Sequence, residues 1–325
     1  MMRMTKYLAA AMVAVAVWAC GGNPRKVTDG ARCGQPATSQ SGSYRQFAIP
    51  SVPAAVPPAE QAGWLREHFW DGFEFADTAY VAAQDTAAMI RAFALYAVQA
   101  VDPGEPSPMG GLMERAEVQA ATFRYFLFLA GLVLHDPNSQ LRNDELYIPV
   151  LERAVASPLL SEAEKIAPRH ALHMARQNRI GHQANDFAYT DIDGRTATLL
   201  ATRAEWTLLF FSNPGCPLCA ELTQLLKGSP VVGRALSDGR LKIIVLYPDD
   251  DLDAWRQHSA DIPPEWIYAR DTDVGIRDRQ LYDLKAIPAL YLLDSLKRVV
   301  VKDASDVRPV EYLLAGTLAA ETPSE

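Results

Sequence analysis

Two cysteines, Cys216 and Cys219, are separated only by Pro-Leu, and this spacing could support dithiol–disulfide chemistry. Only the thiolate form of cysteine attacks a disulfide, and a thiolate is favoured at a helix N-terminus, where backbone N–H groups are unpaired. A second cysteine within reach can resolve the mixed disulfide that the first one forms. The pattern therefore indicates Cys216 as the nucleophile and Cys219 as the resolving thiol.

The residues around these cysteines predict a strand, a turn and a helix. Thr207 to Phe211 is an apolar run with the length and composition of a buried strand. Asn213-Pro214-Gly215 then breaks the strand, and Pro217 is tolerated in a first helical turn because its missing N–H would have no partner there. This order of elements places Cys216 at the exposed start of the helix and Cys219 on its sheltered side.

This arrangement resembles the thioredoxin superfamily, and the resemblance extends over residues 180–320. The opening, Gly181 to Phe187 with a turn at Asp193-Gly194-Arg195, is similar to the TlpA and ResA branch of that superfamily. Strands that alternate with helices along this part of the chain favour an α/β sheet. The resemblance implies a thioredoxin-like α/β domain with a redox-active CxxC and no cofactor.

A strand that begins with proline is the second mark of this resemblance. Ile287-Pro288 opens an apolar run, and a proline at that place cannot donate to the strand ladder. In the thioredoxin fold this bond is cis and lies against the CxxC, where the backbone binds an extended substrate. The resemblance therefore implies that Ile287, Pro288, Pro214 and Gly215 form the substrate-binding surface.

Two departures from thioredoxin concern the same motif. Thioredoxin has a buried Asp on the strand before the CxxC as proton acceptor for the second cysteine, but Thr207 to Phe211 contains no carboxylate. Gly215 stands where thioredoxin has a Trp. The Pro-Leu dipeptide adds no cation, so we expect a reducing couple nearer thioredoxin's roughly −270 mV than DsbA's roughly −120 mV.

The N-terminus predicts a targeting segment, residues 1–19. Arg3 and Lys6 precede an uncharged, largely apolar run that is too short to span a bilayer and ends at Cys20. This pattern resembles a bacterial lipoprotein signal, with Trp18 as a departure, and implies lipidation of Cys20; cleavage without lipidation is the alternative. Residues 20–58 are rich in Gly, Ser and Pro and predict a flexible tether, in which Cys33 has no assigned role.

Residues 59–179 predict an all-α domain of about five helices. Its aromatic segment from Phe69 to Val81 is similar to a helical domain of unknown function that precedes the thioredoxin domain in some Gram-negative lipoproteins, and we expect its aromatic rings in a core. Asp102 to Gly111 predicts a loop, and Leu112 to His135 predicts one long central helix. His170 and His173 lack a third ligand, so we assign no metal.

The composition limits the functions that this chain can have. Its 325 residues are enough for two domains, and 49% apolar residues allow a substantial core. A net charge of −8 without a basic run argues against nucleic acid as a partner. We expect a protein of the cell envelope, anchored by lipid to the periplasmic face or to the outer membrane, because protein disulfides persist there.

Three functions remain open from the sequence. The first is a thiol–disulfide oxidoreductase that acts on protein thiols and disulfides and receives electrons from a membrane donor of the DsbD type. The second is a thiol peroxidase, but peroxiredoxins need a Thr where Asn213 stands. The third is a lipid-anchored binding module whose CPLC forms a structural disulfide.

Overall fold

The computed structural model describes residues 45–100 and 108–320. The signal segment, Cys20 and Cys33 therefore lie outside the described residues. Within these ranges, none of the helices combines the length and the apolar character that crossing a membrane requires.

Seven α-helices precede the first strand among the described residues, where the sequence predicted about five. They are α1 (Gln61–His68), α2 (Thr78–Ala82), α3 (Thr86–Ala100), α4 (Pro108–Ala116), α5 (Ala120–Leu134), α6 (Asp144–Ala156) and α7 (Ile166–Ala175). Polar side chains fix several of their starts: Asp77 accepts the first N–H groups of α2, and Asn143 accepts the N–H of Leu146 in α6.

The prediction for residues 102–135 was wrong in two places. The predicted loop ends by Pro108, where α4 begins, because proline is compatible with a first helical turn. The single long helix is instead two helices, interrupted at Glu117 to Gln119, where Gln119 has extended backbone angles. The break allows α4 and α5 to pack against each other, so that Met109 and Phe126 enter the same core.

An aromatic core holds these helices together, as the sequence predicted for the segment from Phe69 to Val81. Phe69, Trp70 and Phe73 are almost fully buried. Trp70 makes edge contacts with both Phe69 and Phe73, and Trp70 and Phe73 each make an edge contact with Phe126. Such pairs add to the stabilisation that burial of their apolar area provides.

A short piece of the predicted flexible tether, residues 45–47, packs against this core. The Phe47 ring stacks on the Trp70 ring at 5.0 Å, and the Phe47 N–H donates to the Gln84 side chain at 2.7 Å. Gln46 in turn bonds the backbone of Ala83 and Asp85. The tether prediction is therefore wrong for residues 45–47, because an aromatic ring and paired amides outweigh the Pro- and Ser-rich composition around them.

The second half of the chain forms a seven-stranded mixed sheet. Its strands are β1 (Ala188–Asp191), β2 (Thr196–Thr198), β3 (Trp206–Phe211), β4 (Leu241–Tyr247), β5 (Ile267–Asp271), β6 (Ala289–Leu293) and β7 (Val299–Ala304). They lie in the order β2-β1-β5-β4-β3-β6-β7, with β3, β4 and β5 parallel and β6 antiparallel to β3. The sheet confirms the predicted α/β class and has helices between its strands.

Helices and turns cover both faces of this sheet. The elements are α8 (Pro217–Gly228), α9 (Pro230–Ser237), α10 (Leu252–Gln257), a 3₁₀ turn (Ser259–Asp261), α11 (Gly275–Asp278) and α12 (Arg308–Ala320). One face packs Leu208 and Phe210 of β3 against α8, α9 and α12, and the other packs Leu209 and Phe211 against Phe187 and Tyr282. Strand β3 is thus buried on both faces, as its continuous apolar sequence predicts.

A buried ion cluster connects the helices to the sheet; it consists of Arg142, Asp144, Asp283, Lys285, Lys302 and Asp303. Asp144, the first residue of α6, receives Lys285 Nζ at 3.2 Å and Lys302 Nζ at 2.7 Å, and all three side chains are buried. Burial opposes ionisation of Asp144, but the two lysines outweigh it and lower the pKa of this carboxyl. The Asp144 carboxylate is therefore ionised, and it forms ion pairs with both Lys285 and Lys302.

Replacement of Asp144 should destabilise the fold strongly. In Asp144→Ala, Lys285 and Lys302 stay buried with less negative charge, and breaking a buried pair in this way costs about 3–5 kcal/mol of unfolding free energy. Asp193→Ala is the matched control, because its partner Arg195 is on the surface and the Asp193 side chain is 63% exposed; it should cost less than about 1 kcal/mol. Urea unfolding followed by tryptophan fluorescence measures both, and equal losses would contradict the role of the cluster.

Candidate redox site

Cys216 is the N-cap residue of α8. Its sulfur accepts the N–H of Cys219 at 3.3 Å, and Pro217 occupies the first helical turn, as the sequence predicted. Gly215 has φ +71°, a conformation that glycine adopts without strain, and this turn directs the chain from β3 into the helix. The Cys216 side chain is half-buried and lies at the N-terminus of α8, where its sulfur caps the first helical turn.

Cys219 lies on the inner side of α8 and is 3% exposed. Burial, together with the neighbouring Cys216 sulfur, raises the pKa of the Cys219 thiol to about 11, although the Asn213 backbone and the Ser212 hydroxyl oppose this. Cys219 therefore stays a thiol at neutral pH. The two cysteines therefore occupy different environments, one partly exposed and one sheltered, and their attacking and resolving roles stay predictions.

Pro288 lies beside the loop that carries Cys216. In the β3–β6 ladder Phe211 pairs with Ala289, so Pro288 and Ile287 are the next residues at the end of β3 from which this loop departs. The Ile287–Pro288 bond is cis, and Ile287 and Cys216 pack against the same apolar cluster. The fold thus brings Ile287 and Pro288 to the end of the sheet where the cysteines lie, and their part in substrate binding stays a prediction.

A cleft of about 540 Å³ opens beside the cysteines; we call it the CxxC cleft. Pro214, Gly215, Cys216 and Cys219 line it, whereas Ile287 and Pro288 are not among its lining residues. The remaining lining comes from the turn after β3, from α8, from the segment after α10 and from β5, and includes Asn213, Lys227, His258, Asp261 and Tyr268. A slightly larger cleft of about 590 Å³ between α5, α7 and Lys285 contains no cysteine, so we place the redox site in the smaller one.

His258 is the residue of this site that sequence reasoning missed. It directly follows α10, more than 30 positions beyond the motif, and its Nε2 would lie 3.6 Å from a Cβ added to Gly215. No local pattern identifies such a residue, because only the parallel pairing of β3 with β4 and of β4 with β5 brings the segment after β4 to the cysteines.

Among the residues that the structure describes, no carboxylate contacts Cys219 in the place of thioredoxin's buried Asp. The largest influences on this thiol besides burial come from Cys216, Asn213 and Ser212. Asp261 is the carboxylate that lines the CxxC cleft among the described residues, and it is exposed to solvent.

Comparison with known proteins gives the following likenesses. A family model described as a domain of unknown function, DUF5106, matches residues 23–178. A crystal structure of a thioredoxin-like protein from Bacteroides caccae is 38% identical, covers 83% of this chain and 98% of its own, and superposes with a TM-score of 0.77. No curated protein matches the chain.

Two further structures from Bacteroides fragilis match a smaller part of the chain. The C-terminal domain of an uncharacterised protein is 46% identical, covers 42% of this chain and 98% of its own, and has a TM-score of 0.42. A conserved protein of unknown function is 34% identical over the same shares, 42% and 98%, with a TM-score of 0.40.

The two cysteines should react with an alkylating agent at very different rates. With a pKa of about 11, the thiolate fraction of Cys219 is on the order of one in a thousand at pH 8 and rises about tenfold for each pH unit below 11. In the reduced chain at pH 8, peptide-resolved mass spectrometry should find Cys216 labelled by iodoacetamide at least about tenfold faster than Cys219. The urea-unfolded chain is the control and should lose the difference; equal rates in the folded chain would contradict the assignment.

Proposed function

Since the chain belongs to the thioredoxin-like family, we propose that it is a thiol–disulfide oxidoreductase that exchanges disulfides with protein substrates through Cys216 and Cys219. The observation that carries this proposal is the contrast between the two sulfurs. Cys216 is accessible at the start of α8, whereas Cys219 is buried one turn further along with a raised pKa. A structural disulfide does not need one exposed and one buried sulfur, whereas an attacking thiol must be accessible to the substrate and its resolving thiol can be sheltered.

The exchange proceeds in two displacements. The Cys216 thiolate attacks one sulfur of a substrate disulfide, forms a mixed disulfide with it and releases the other substrate sulfur as a thiolate. Cys219 then loses its proton and attacks the Cys216 sulfur, which closes the Cys216–Cys219 disulfide and releases the second substrate thiolate. Two electrons pass from the cysteine pair to the substrate, and the reverse sequence oxidises a dithiol.

The substrate-binding surface of this proposal has two parts. Pro214 and Gly215 belong to the wall of the CxxC cleft, and Ile287 and Pro288 lie at the adjoining end of β6. An extended peptide could bond the free backbone next to Pro288 while its sulfur meets Cys216, as in strand addition.

The cellular setting remains part of the proposal. The short apolar run that ends at Cys20 supports a lipid anchor in the cell envelope. A protein that reduces substrates there must itself be reduced again, and a membrane donor of the DsbD type is the partner that we propose by analogy.

The peroxidase alternative has less support at this site. Asn213 stands where peroxiredoxins have a Thr, and its Oδ1 is buried without a hydrogen-bond partner among the described residues. The amide group of Asn213 is planar and lacks the hydroxyl that peroxiredoxins have at this position, a group that both donates and accepts.

Insulin reduction tests the activity. The chain with Cys20→Ser and Cys33→Ser retains only the CPLC thiols, and we expect it to accelerate the turbidity of insulin in dithiothreitol. The same chain with Cys216→Ser should fall to the rate without protein, because it has no nucleophile. If both chains gave the same turbidity, the binding module with a structural disulfide would be favoured; peroxide consumption that depends on Cys216 would favour the peroxidase.

Trapping tests the division of labour between the two cysteines. Cys219→Ser removes the resolving thiol, so mixed disulfides through Cys216 should accumulate and be visible on non-reducing gels. Cys216→Ser is the matched control, since the buried Cys219 should trap little. Mass spectrometry of the adducts would identify the substrates, and adducts that form equally in both variants would reverse or abolish the assigned roles.

A further inference from the structure

The His258 imidazole is held at the mouth of the CxxC cleft by a rigid neighbourhood. Trp255 of α10 is buried and its ring contacts the Tyr268 ring at 5.5 Å. The Tyr268 hydroxyl donates to the Trp255 carbonyl at 3.0 Å, which fixes the last turn of α10 against β5. His258 follows directly on this turn, so its backbone position is determined by the core.

One ring nitrogen of His258 is hydrogen-bonded to the backbone, and no group within residues 45–100 and 108–320 forms a hydrogen bond with the other. Nδ1 lies 2.9 Å from the carbonyl oxygen of Ala254, and because a carbonyl only accepts, Nδ1 carries a proton and donates it. In the neutral ring Nε2 is then the acceptor, with its lone pair available. A hydrogen bond that orients the ring through one nitrogen and leaves the other for chemistry is typical of acid–base histidines.

The free nitrogen faces the turn that carries the nucleophile. Nε2 lies 3.6 Å from the place where a Cβ on Gly215 would stand, and Gly215 is the residue immediately before Cys216. His258 and both cysteines line the same cleft. A side chain on residue 215 would contact the His258 ring. Because residue 215 is glycine, no side chain stands between the imidazole and the turn before Cys216.

The other ionisable groups that face this part of the cleft come from three elements. Lys227 lies in the last turn of α8, Asp261 ends the 3₁₀ turn, and Tyr268 belongs to β5. The Tyr268 hydroxyl is bonded to Trp255, and burial raises its pKa far above neutrality. Compared with lysine, aspartate and tyrosine, histidine is the residue type that both takes up and releases a proton near neutral pH.

We propose, on the basis of the oxidoreductase function above, that His258 is the proton acceptor for Cys216. Nε2 takes the proton of the Cys216 thiol, directly or through one water molecule, and leaves a thiolate beside an imidazolium. The thiolate forms the new S–S bond with the substrate as the substrate's own S–S bond breaks. The imidazolium then returns its proton to the departing substrate thiolate, so charge and protons balance over the step.

The test measures the reactivity of Cys216 without any disulfide substrate. In the full chain with Cys219→Ser, the rate of iodoacetamide labelling of the Cys216 peptide is followed from pH 5 to pH 10 by mass spectrometry. His258→Gln should lower this rate about tenfold at pH 6.5 and leave it within about twofold at pH 9.5, where an ordinary thiol ionises unaided. His182→Gln, an exposed histidine far from the cleft, should follow the parent at every pH.

Two results would overturn the proposal. One is a pH profile of Cys216 labelling in His258→Gln that superimposes on the parent profile. The other is a tenfold lower labelling rate at pH 6.5 in Asp261→Asn but not in His258→Gln. If His258→Gln does not fold, nitrogen-15 NMR of the unaltered His258 ring, recorded as a function of pH, tests the proposal instead. Its signals should respond at the pH where Cys216 ionises and lose that response in Cys216→Ser, and an unchanged response would also overturn the proposal. Labelling needs no substrate, so this result is separate from the outcome of the insulin assay.

Discussion

The pairing of β3 on both of its edges determines where the chemistry can occur. Phe211, the last residue of β3, is held by Leu246 of β4 on one side and by Ala289 of β6 on the other, and all three are buried. The loop to Cys216 leaves β3 at this point and the cis-proline segment arrives there. A shift of either ladder by one residue would turn every side chain of β3 to the opposite face, so burial on both faces fixes the register. Two segments that are distant in sequence are therefore neighbours at one end of the sheet.

The ion cluster connects helix α6 to the segment that leads into the cis-proline bond. Lys285 precedes Ile287 by only two residues, and it is held by Asp144 of α6 and by Asp283 at 2.6 Å. Buried ion pairs add little net stability compared with apolar contacts, but an unpaired member is costly, so they select one way of docking two surfaces. Burial raises the pKa of Asp303 to about 6, while Lys285 and Arg142 oppose this, and the pKa of Asp144 is lowered. The two carboxyls thus respond to pH in opposite senses. Asp303 takes up a proton on folding between its ordinary pKa of 3.8 and about 6, and its contribution to stability falls as the pH rises through this range. Asp144 stabilises the fold in its ionised form, and this contribution is lost as the pH falls below its ordinary range.

The parts of this structure that the sequence predicted are those with local signals. The strand, turn and helix around CPLC and the start of α8 at Pro217 follow from residue types within a few positions. The break between α4 and α5 was missed because apolar residues continue from Leu112 and Met113 of α4 into the strongly apolar α5, and the turn between them contains neither glycine nor proline. Helix α9 was not predicted at all, although Ser229 and Pro230 are ordinary start signals. The ion cluster and the packing of Phe47 depend on contacts between distant segments, which no pattern in a single sequence contains.

The two departures from thioredoxin that the motif shows meet at one place in the fold. The strand before the motif lacks the buried carboxylate, and the position before Cys216 lacks the aromatic side chain. A Cβ at residue 215 would lie 3.6 Å from His258 Nε2, so the position where thioredoxin has an aromatic ring is next to the imidazole in this fold. A buried carboxylate acts on the resolving thiol from inside the core, whereas His258 faces the cleft and the side of the attacking thiol. The site thus places its proton acceptor where the substrate sulfur also leaves, which lets one imidazole serve both the attack and the departure.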